Sequence, residues 1–433
     1  MNTHAPSPSG HPVLGHTLHY ARDAFGLVDR AIDTVGDVAR MEVLGVGDIY
    51  VLAHPEYAEQ VLSSEVDAFR KNESFEVAFG ESIIAAEGAQ WENQRDLMQE
   101  FFYPERIRAY AEEMVTLTEA RVARWEDGER ISLREEMTAV ALENLFGTLF
   151  DRRLDPDGDE ALRRAANDLN AWFVPSSWVL PVWVPTPARR RFRRAVETLR
   201  EEAHTLLEER EREGLGDDFL SALVASRGQE DGLTETEIVD QVIGFTFAGH
   251  DTTALTLTYA LHSLGTNPAA RERFHAELET VLDGASPTLA DVGRLEVTER
   301  IVLEAMRLYP PVHTIPRAAT RPVEVGGYRL PADEMIHLSA YRIHRDERFW
   351  DDPLAFRPER WCETSPQSAG YAYIPFGAGP RACLGRRFAM LEATLVLATV
   401  GSRYHLEPLA GLELAPEMTT QPGNAVPVRL HER

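Results

Sequence analysis

The segment from Thr234 to Leu264 constrains the fold more than any other, because it reads as one uninterrupted helix. Thr234 and Glu237 make a capping box at its start, and Gly265 with Asn267-Pro268 stops it. About 30 residues at ~1.5 Å each make a rod near 45 Å, long enough to cross a whole molecule. The middle of the rod, Ala248-Gly249-His250-Asp251-Thr252-Thr253, is poor helix material where propensity should be best. Gly249 is conformationally loose, and Thr252 and Thr253 can bond the preceding turn's carbonyls, so the pattern predicts a local opening of the ladder. Taken alone, this is also what a mildly kinked core helix looks like.

The rest of the chain fits a helical body around that rod. Helical periodicity covers 55–63, 91–101, 104–125, 133–150, 159–173 and 187–212, with no repeat and no linker. Two β-favouring runs between Val38 and Ala53, broken by Gly45 and Gly47, predict a hairpin. After Pro310 the pattern turns irregular, with short strands expected at Pro322 to Leu330, Met335 to Tyr341 and Val426 to Leu430. The expectation is one unit over 1–433, mainly α, with β parts near 38–53 and 320–345 and a helical part over about 55–310.

Near the C-terminal end, Phe376-Gly-Ala-Gly-Pro-Arg-Ala-Cys-Leu-Gly-Arg-Arg-Phe388 places Cys383 among Gly377, Gly379, Gly385 and Pro380. Such density forbids helix up to the cysteine and lets backbone approach a flat partner. From Arg386 the pattern is apolar nearly all round, which predicts a buried helix starting just after Cys383. A thiol at a helix start should have a lowered pKa and so be ready to ligate metal, although a lone cysteine more often packs as a small hydrophobe.

The string Phe376-x-x-Gly379-x-Arg381-x-Cys383-x-Gly385 resembles the haem-ligand loop of the cytochrome P450 monooxygenases. That resemblance implies Cys383 as the proximal iron ligand, Arg381 at a haem propionate, and a mainly helical prism enclosing haem b. Further motifs follow in the family's order. Trp91 and Arg95 resemble its propionate-reaching pair, and Arg317 matches another propionate arginine. Ala248 to Thr253 resembles its oxygen-binding groove, which implies that Gly249 leaves room for dioxygen while Asp251 and Thr252 relay protons. Glu304-x-x-Arg307 and Arg360 in Pro358-Glu-Arg resemble a buried network supporting the cysteine loop, although such i,i+3 pairs are usually solvated. The same matching puts Phe245, Phe247, Ala248, Val312, Thr314 and Ile315 around a distal substrate pocket, and the apolar, proline-broken segment Trp172 to Pro187 at its entrance. His250 receives no role.

Bulk composition narrows the partners. A net charge of -26 repels phosphate, which disfavours nucleic acid and anionic membrane. Lys71 is the only lysine, so the acidic surface fits either a halophilic organism or a GC-rich genome. Two cysteines, Cys362 and Cys383, exclude a disulfide framework. With neither a signal-like start nor a run of about 20 apolar residues, the chain reads as cytoplasmic with no transmembrane anchor. The expected activity is hydroxylation of an apolar small molecule, such as a fatty acid or isoprenoid. No flavin or ferredoxin module fits, so NAD(P)H electrons would arrive through a ferredoxin and its reductase, docking near Arg386 and Arg387. A peroxide-using or hydroperoxide-rearranging enzyme and a haem gas sensor are the alternatives.

Overall fold

The computed structural model describes residues 4–156, 158–174, 177 and 183–433. The helices that frame the site are α1 (Gly88–Gln99), α2 (Leu133–Leu149), α3 (Pro187–Glu213), α4 (Glu235–Thr266), α5 (Glu296–Leu308) and α6 (Arg386–Arg403). α4 is the long rod expected from the sequence. Thr234 Oγ1 accepts from Glu237 N at 3.2 Å while Thr234 N donates to Glu237 Oε2 at 2.9 Å, closing the capping box. Most of α4 is buried, and α2 packs along it. Gly249 lets the Leu145 side chain of α2 lie against α4, because a Cβ there would meet Leu145 Cδ1 at 2.6 Å and push that methyl aside.

The ladder does not open at Ala248 to Thr253, which stays helical throughout. Thr252 Oγ1 does donate to the Ala248 carbonyl at 2.7 Å, as its position predicts, but this bond adds to the helix without replacing its ladder. Burial against α2 and α6 supplies what local propensity lacks.

Twelve strands surround this helical body among the described residues: β1 (Val38–Val43), β2 (Gly47–Leu52), β3 (Phe69–Arg70), β4 (Arg130–Ser132), β5 (Thr314–Ala319), β6 (Val323–Val325), β7 (Tyr328–Leu330), β8 (Met335–Ser339), β9 (Tyr404–Pro408), β10 (Leu414–Pro416), β11 (Thr420–Pro422) and β12 (Pro427–Glu432). The predicted hairpin is β1 and β2, antiparallel with Val38 opposite Leu52. It joins a mixed sheet in the order β1-β2-β8-β5-β3, where β2 and β8 run parallel. The sequence did not reveal β5, whose Pro316 and Arg317 interrupt a β-favouring run and which pairs antiparallel with β8. The β10–β11 hairpin and the sheet β4-β12-β9 were also unforeseen apart from β12. Among the described residues, no helix is long and apolar enough to cross a membrane.

Candidate active site

Two glycines set the path of the cysteine loop. Gly377 has φ 66° and Gly379 φ 69°, both left-handed, and a Cβ on Gly379 would lie 1.8 Å from the Leu62 carbonyl oxygen. Cys383 N donates to Phe376 O at 2.9 Å, closing the loop, and α6 begins with Gly385 as its N-cap. The side chain of Cys383 has accessible surface, and it lines a partly open cavity of about 360 Å³. Burial pushes its thiol up, against the opposing pull of the Gly385 N–H, Arg95 and Arg386. The lowered pKa expected from sequence therefore does not hold for the polypeptide alone: one helix-start N–H is too little to offset desolvation.

Behind the loop, Glu304 and Arg307 are fully buried on α5. The Glu304 carboxylate accepts from Arg307 Nε (3.0 Å) and Nη2 (2.8 Å), Arg360 Nε (3.0 Å), Trp361 Nε1 (3.0 Å) and the Arg357 backbone (2.9 Å). Arg307 spends its remaining donors on the carbonyls of His344, Pro353 and Ala355. His344 in turn accepts from Ile374 N at 2.8 Å, two residues before the loop. The pair is thus not a solvated surface contact: it ties α5 through two segments to the chain that presents the sulfur.

One edge of the cavity is cationic. Arg95, Arg317, Arg381 and Lys71 all line it, with Trp91 beneath the guanidinium groups of Arg95 (5.6 Å) and Arg381 (5.9 Å). Glu87 pairs with Arg381, but Arg95 bonds the Ala382 carbonyl and Arg317 the Pro316 carbonyl. Burial, reinforced by Arg381, lowers Arg317 to about 10. Burial likewise pulls Lys71 down to about 7; Glu87 opposes this, while Arg381, Arg317 and Arg95 add to it. Three arginines and a lysine only partly charged at neutral pH, facing one carboxylate, leave positive charge unbalanced in a desolvated place. A flat dianion lying between this edge and the sulfur is what such a donor set fits.

The opposite wall is α4, with Phe245, Phe247, Ala248, Gly249 and Thr252 on the cavity, facing Val312 and Ile315 across it. Phe376 and Gly385 line the sulfur side.

The family described as Cytochrome P450 matches residues 5–429. The chain belongs to the cytochrome P450 family. It is 33% identical to cyclooctat-9-en-7-ol 5-monooxygenase of Streptomyces melanosporofaciens, over 95% of this chain and 91% of that one. Cyclooctatin synthase from the same organism is 33% identical, over 95% and 92% of the two chains. Pentalenene oxygenase of Streptomyces avermitilis is 34% identical, over 92% and 90%. This P450 is a monooxygenase with a haem cofactor, and the cationic edge and the cavity sulfur fit that group.

Neither Thr314, expected on the P450's cavity wall, nor Asp251, expected as a proton relay, is among the residues that line the cavity. Thr314 Oγ1 sits 3.0 Å from His313 Nδ1, and the wall of β5 is supplied by Ile315, Pro316 and Arg317. Asp251 is fully buried and does not itself line the cavity, although its hydrogen-bond partner Thr419 does. Phe245 and Phe247 also diverge: Phe245 packs on Phe102 (5.8 Å) and Phe219 (4.7 Å), whereas Phe247 joins Phe79 at 4.8 Å. His250 is buried, its Nδ1 beside the Thr246 carbonyl, and desolvation lowers its pKa. Of the segment Trp172 to Pro187, residues 175, 176 and 178–182 lie outside the described residues; Trp172 packs on Phe192 at 5.2 Å and Trp183 is exposed.

Sequence reasoning missed Lys71, Phe75, Ile83, Ile84 and Met418, all on the cavity wall of the P450. Lys71 had a signal, as the only lysine in the chain. Its ammonium donates to the carbonyls of Ile83 and Ala86, both at 2.7 Å, so one residue joins the cationic edge to the loop that roofs the cavity.

Proposed function

We propose that this P450 hydroxylates a cyclic isoprenoid skeleton, using dioxygen and electrons from separate redox proteins. The observation that carries this is the chemistry of the distal wall. Phe75, Ile83, Ile84, Phe247, Val312, Ile315 and Met418 surround a space whose polar groups on that side are threonine hydroxyls. Such a wall selects by shape and apolar area, without a charged group to hold a carboxylate. The relatives named for cyclooctat-9-en-7-ol and pentalenene point to the same class, favouring an isoprenoid over a fatty acid.

In this reading Cys383 would ligate the haem iron, and Arg95, Arg317, Arg381 and Lys71 would hold its propionates, with Trp91 as their platform. Phe376 and Gly385 would flank the group, Gly249 and Ala248 would lie across it, and the Glu304–Arg307–Arg360 network would fix the sulfur's position. Bound haem supplies the activation of dioxygen, helped by electron donation from the thiolate. The overall balance is one C–H bond converted to C–OH, with dioxygen, two electrons and two protons consumed and one water released. Asp251 would relay protons, Thr252 would present its hydroxyl to the oxygen side, and the apolar wall would exclude competing water. Arg386 and Arg387 are exposed beside the cysteine loop, where an acidic ferredoxin carrying electrons from NAD(P)H through its reductase would dock.

Spectral titration of the haem-loaded protein with caryophyllene, farnesol and palmitate tests the substrate class. Caryophyllene should perturb the haem spectrum most; a response to palmitate alone would remove the isoprenoid reading. Turnover supported by a ferredoxin chain, compared with turnover on peroxide, decides between dioxygen and peroxide as the oxygen source.

A further inference from the structure

Asp251 is held by groups that come from far away in the chain. Arg134, in the first turn of α2, pairs with Oδ1. Thr419 Oγ1 donates to Oδ2 at 2.8 Å, and Gln421 Nε2 reaches Oδ1 at 3.2 Å and Oδ2 at 3.1 Å. Gln421 Oε1 also accepts from Arg134, from Nε at 3.4 Å and Nη2 at 3.2 Å, so the four side chains form a closed ring. Thr252, the neighbour of Asp251, instead donates within its own helix to Ala248. Among the described residues, no hydrogen bond joins Asp251 to Thr252.

The hairpin β10–β11 supplies two members of that ring, and its turn also reaches the cavity. Met418 and Thr419 are cavity-wall residues. The flanks of the turn are anchored: Thr420 N donates to Pro311 O at 2.8 Å, and His313 Nε2 lies 2.9 Å from Glu417 O. Thr419 therefore touches the ligand space and the buried acid at once, while Met418 beside it offers a flexible, polarizable side chain to whatever fills that space.

We propose that the turn Glu417 to Thr419 reads occupancy of the cavity and sets whether Asp251 is free to give up a proton. Thr419 and Gln421 are positioning residues: with the cavity empty they keep the carboxylate in the ring, and a ligand packed on Met418 shifts the turn and loosens it. The ring keeps Asp251 a poor donor. Burial alone would raise its pKa, but Arg134, His250, Thr419 and Gln421 outweigh that and hold it below the usual carboxylate range. The benefit is economy of electrons. Protons delivered with no substrate present turn dioxygen, two electrons and two protons into hydrogen peroxide and release it. The inference rests on the dioxygen-dependent reading above, which its test treats separately.

Two measurements on the haem-loaded protein test it. In the first, hydrogen exchange of the peptide spanning 412–424 is compared with and without 4-phenylimidazole, a probe that fills the cavity whatever the natural substrate. Wild type should change exchange there on filling and Met418→Ala should not; no change in wild type overturns the proposal, however the function reading fares. In the second, peroxide release is followed without substrate, with a ferredoxin chain supplying electrons. Thr419→Val and Gln421→Leu should leak peroxide about fivefold faster, with an altered solvent isotope effect, and Thr419→Ser should restore the wild-type leak. Leak rates equal to wild type in both variants overturn it. A wild type that consumes no electrons in air would instead sink the dioxygen reading, leaving the exchange result to judge the turn.

Discussion

The two faces of the cavity are built on opposite terms. On the sulfur face, Glu304 accepts five hydrogen bonds with no exposed surface, and every link from α5 to Ile374 is made at 2.7–3.2 Å. On the α4 side, Asp251, one layer behind the wall, is equally buried, but Arg134 keeps 13% of its side-chain surface exposed and two of the acid's partners sit on a hairpin. A metal ligand needs one geometry, which an over-determined network enforces. The proton-relay role proposed for Asp251 needs two, which a ring of separable contacts would permit. The lesson is that equal burial does not mean equal rigidity; where the partners are anchored decides.

The sharpest way to break this contrast is Glu304→Ala. It strands two arginine charges in the interior, and we expect a loss of about 3–5 kcal/mol in denaturant unfolding together with loss of haem. A variant that purifies with full haem content would show the sulfur face to be less tightly determined than argued. On the other face, Asp251→Asn should keep haem and fold, losing about 1–2 kcal/mol, while dioxygen-dependent turnover drops about 10²-fold. Equal losses of haem in the two variants would erase the distinction.

Glu392 lies at the seam, on α6 beside Thr253 of α4 and Asn144 of α2, with its carboxyl pushed up to about 8 by burial. Between its ordinary value of 4.5 and that point the folded chain holds a proton the unfolded chain has lost, so stability must fall as pH rises through this window. Glu392→Gln should flatten that slope and gain about 1–2 kcal/mol at neutral pH. An unchanged slope in thermal unfolding from pH 5 to pH 8 would deny that Glu392 is neutral. The smallest effect is expected at the rim. Lys71→Met should weaken haem retention by about 1 kcal/mol, read by transfer of haem to apomyoglobin, and should loosen the Ile83 to Ala86 loop in hydrogen exchange.

Much of the sulfur face was legible in the sequence because its parts are local. Gly377, Gly379 and Cys383 sit within one loop, Glu304 and Arg307 are one helical turn apart, and Trp91 and Arg95 share a helix face. Spacing of that kind survives without coordinates. Thr314 and Asp251 show where it stops: both sit beside cavity residues in the sequence, yet neither lines the cavity, Thr314 lying against His313 and Asp251 held by partners from α2 and the β10–β11 hairpin.

The sequence by itself determined the long helix, its stop signals, the loop that presents Cys383 and the family to which those strings belong. Only the tertiary structure decided what surrounds Asp251, since Arg134 and Gln421 lie 117 and 170 positions from it. It also decided that Lys71 joins three arginines, and that the thiol is desolvated more than its helix start can offset. The physical reason is that periodicity and capping are written within a turn or two of the chain, whereas charge balance and burial depend on which distant segments folding brings together.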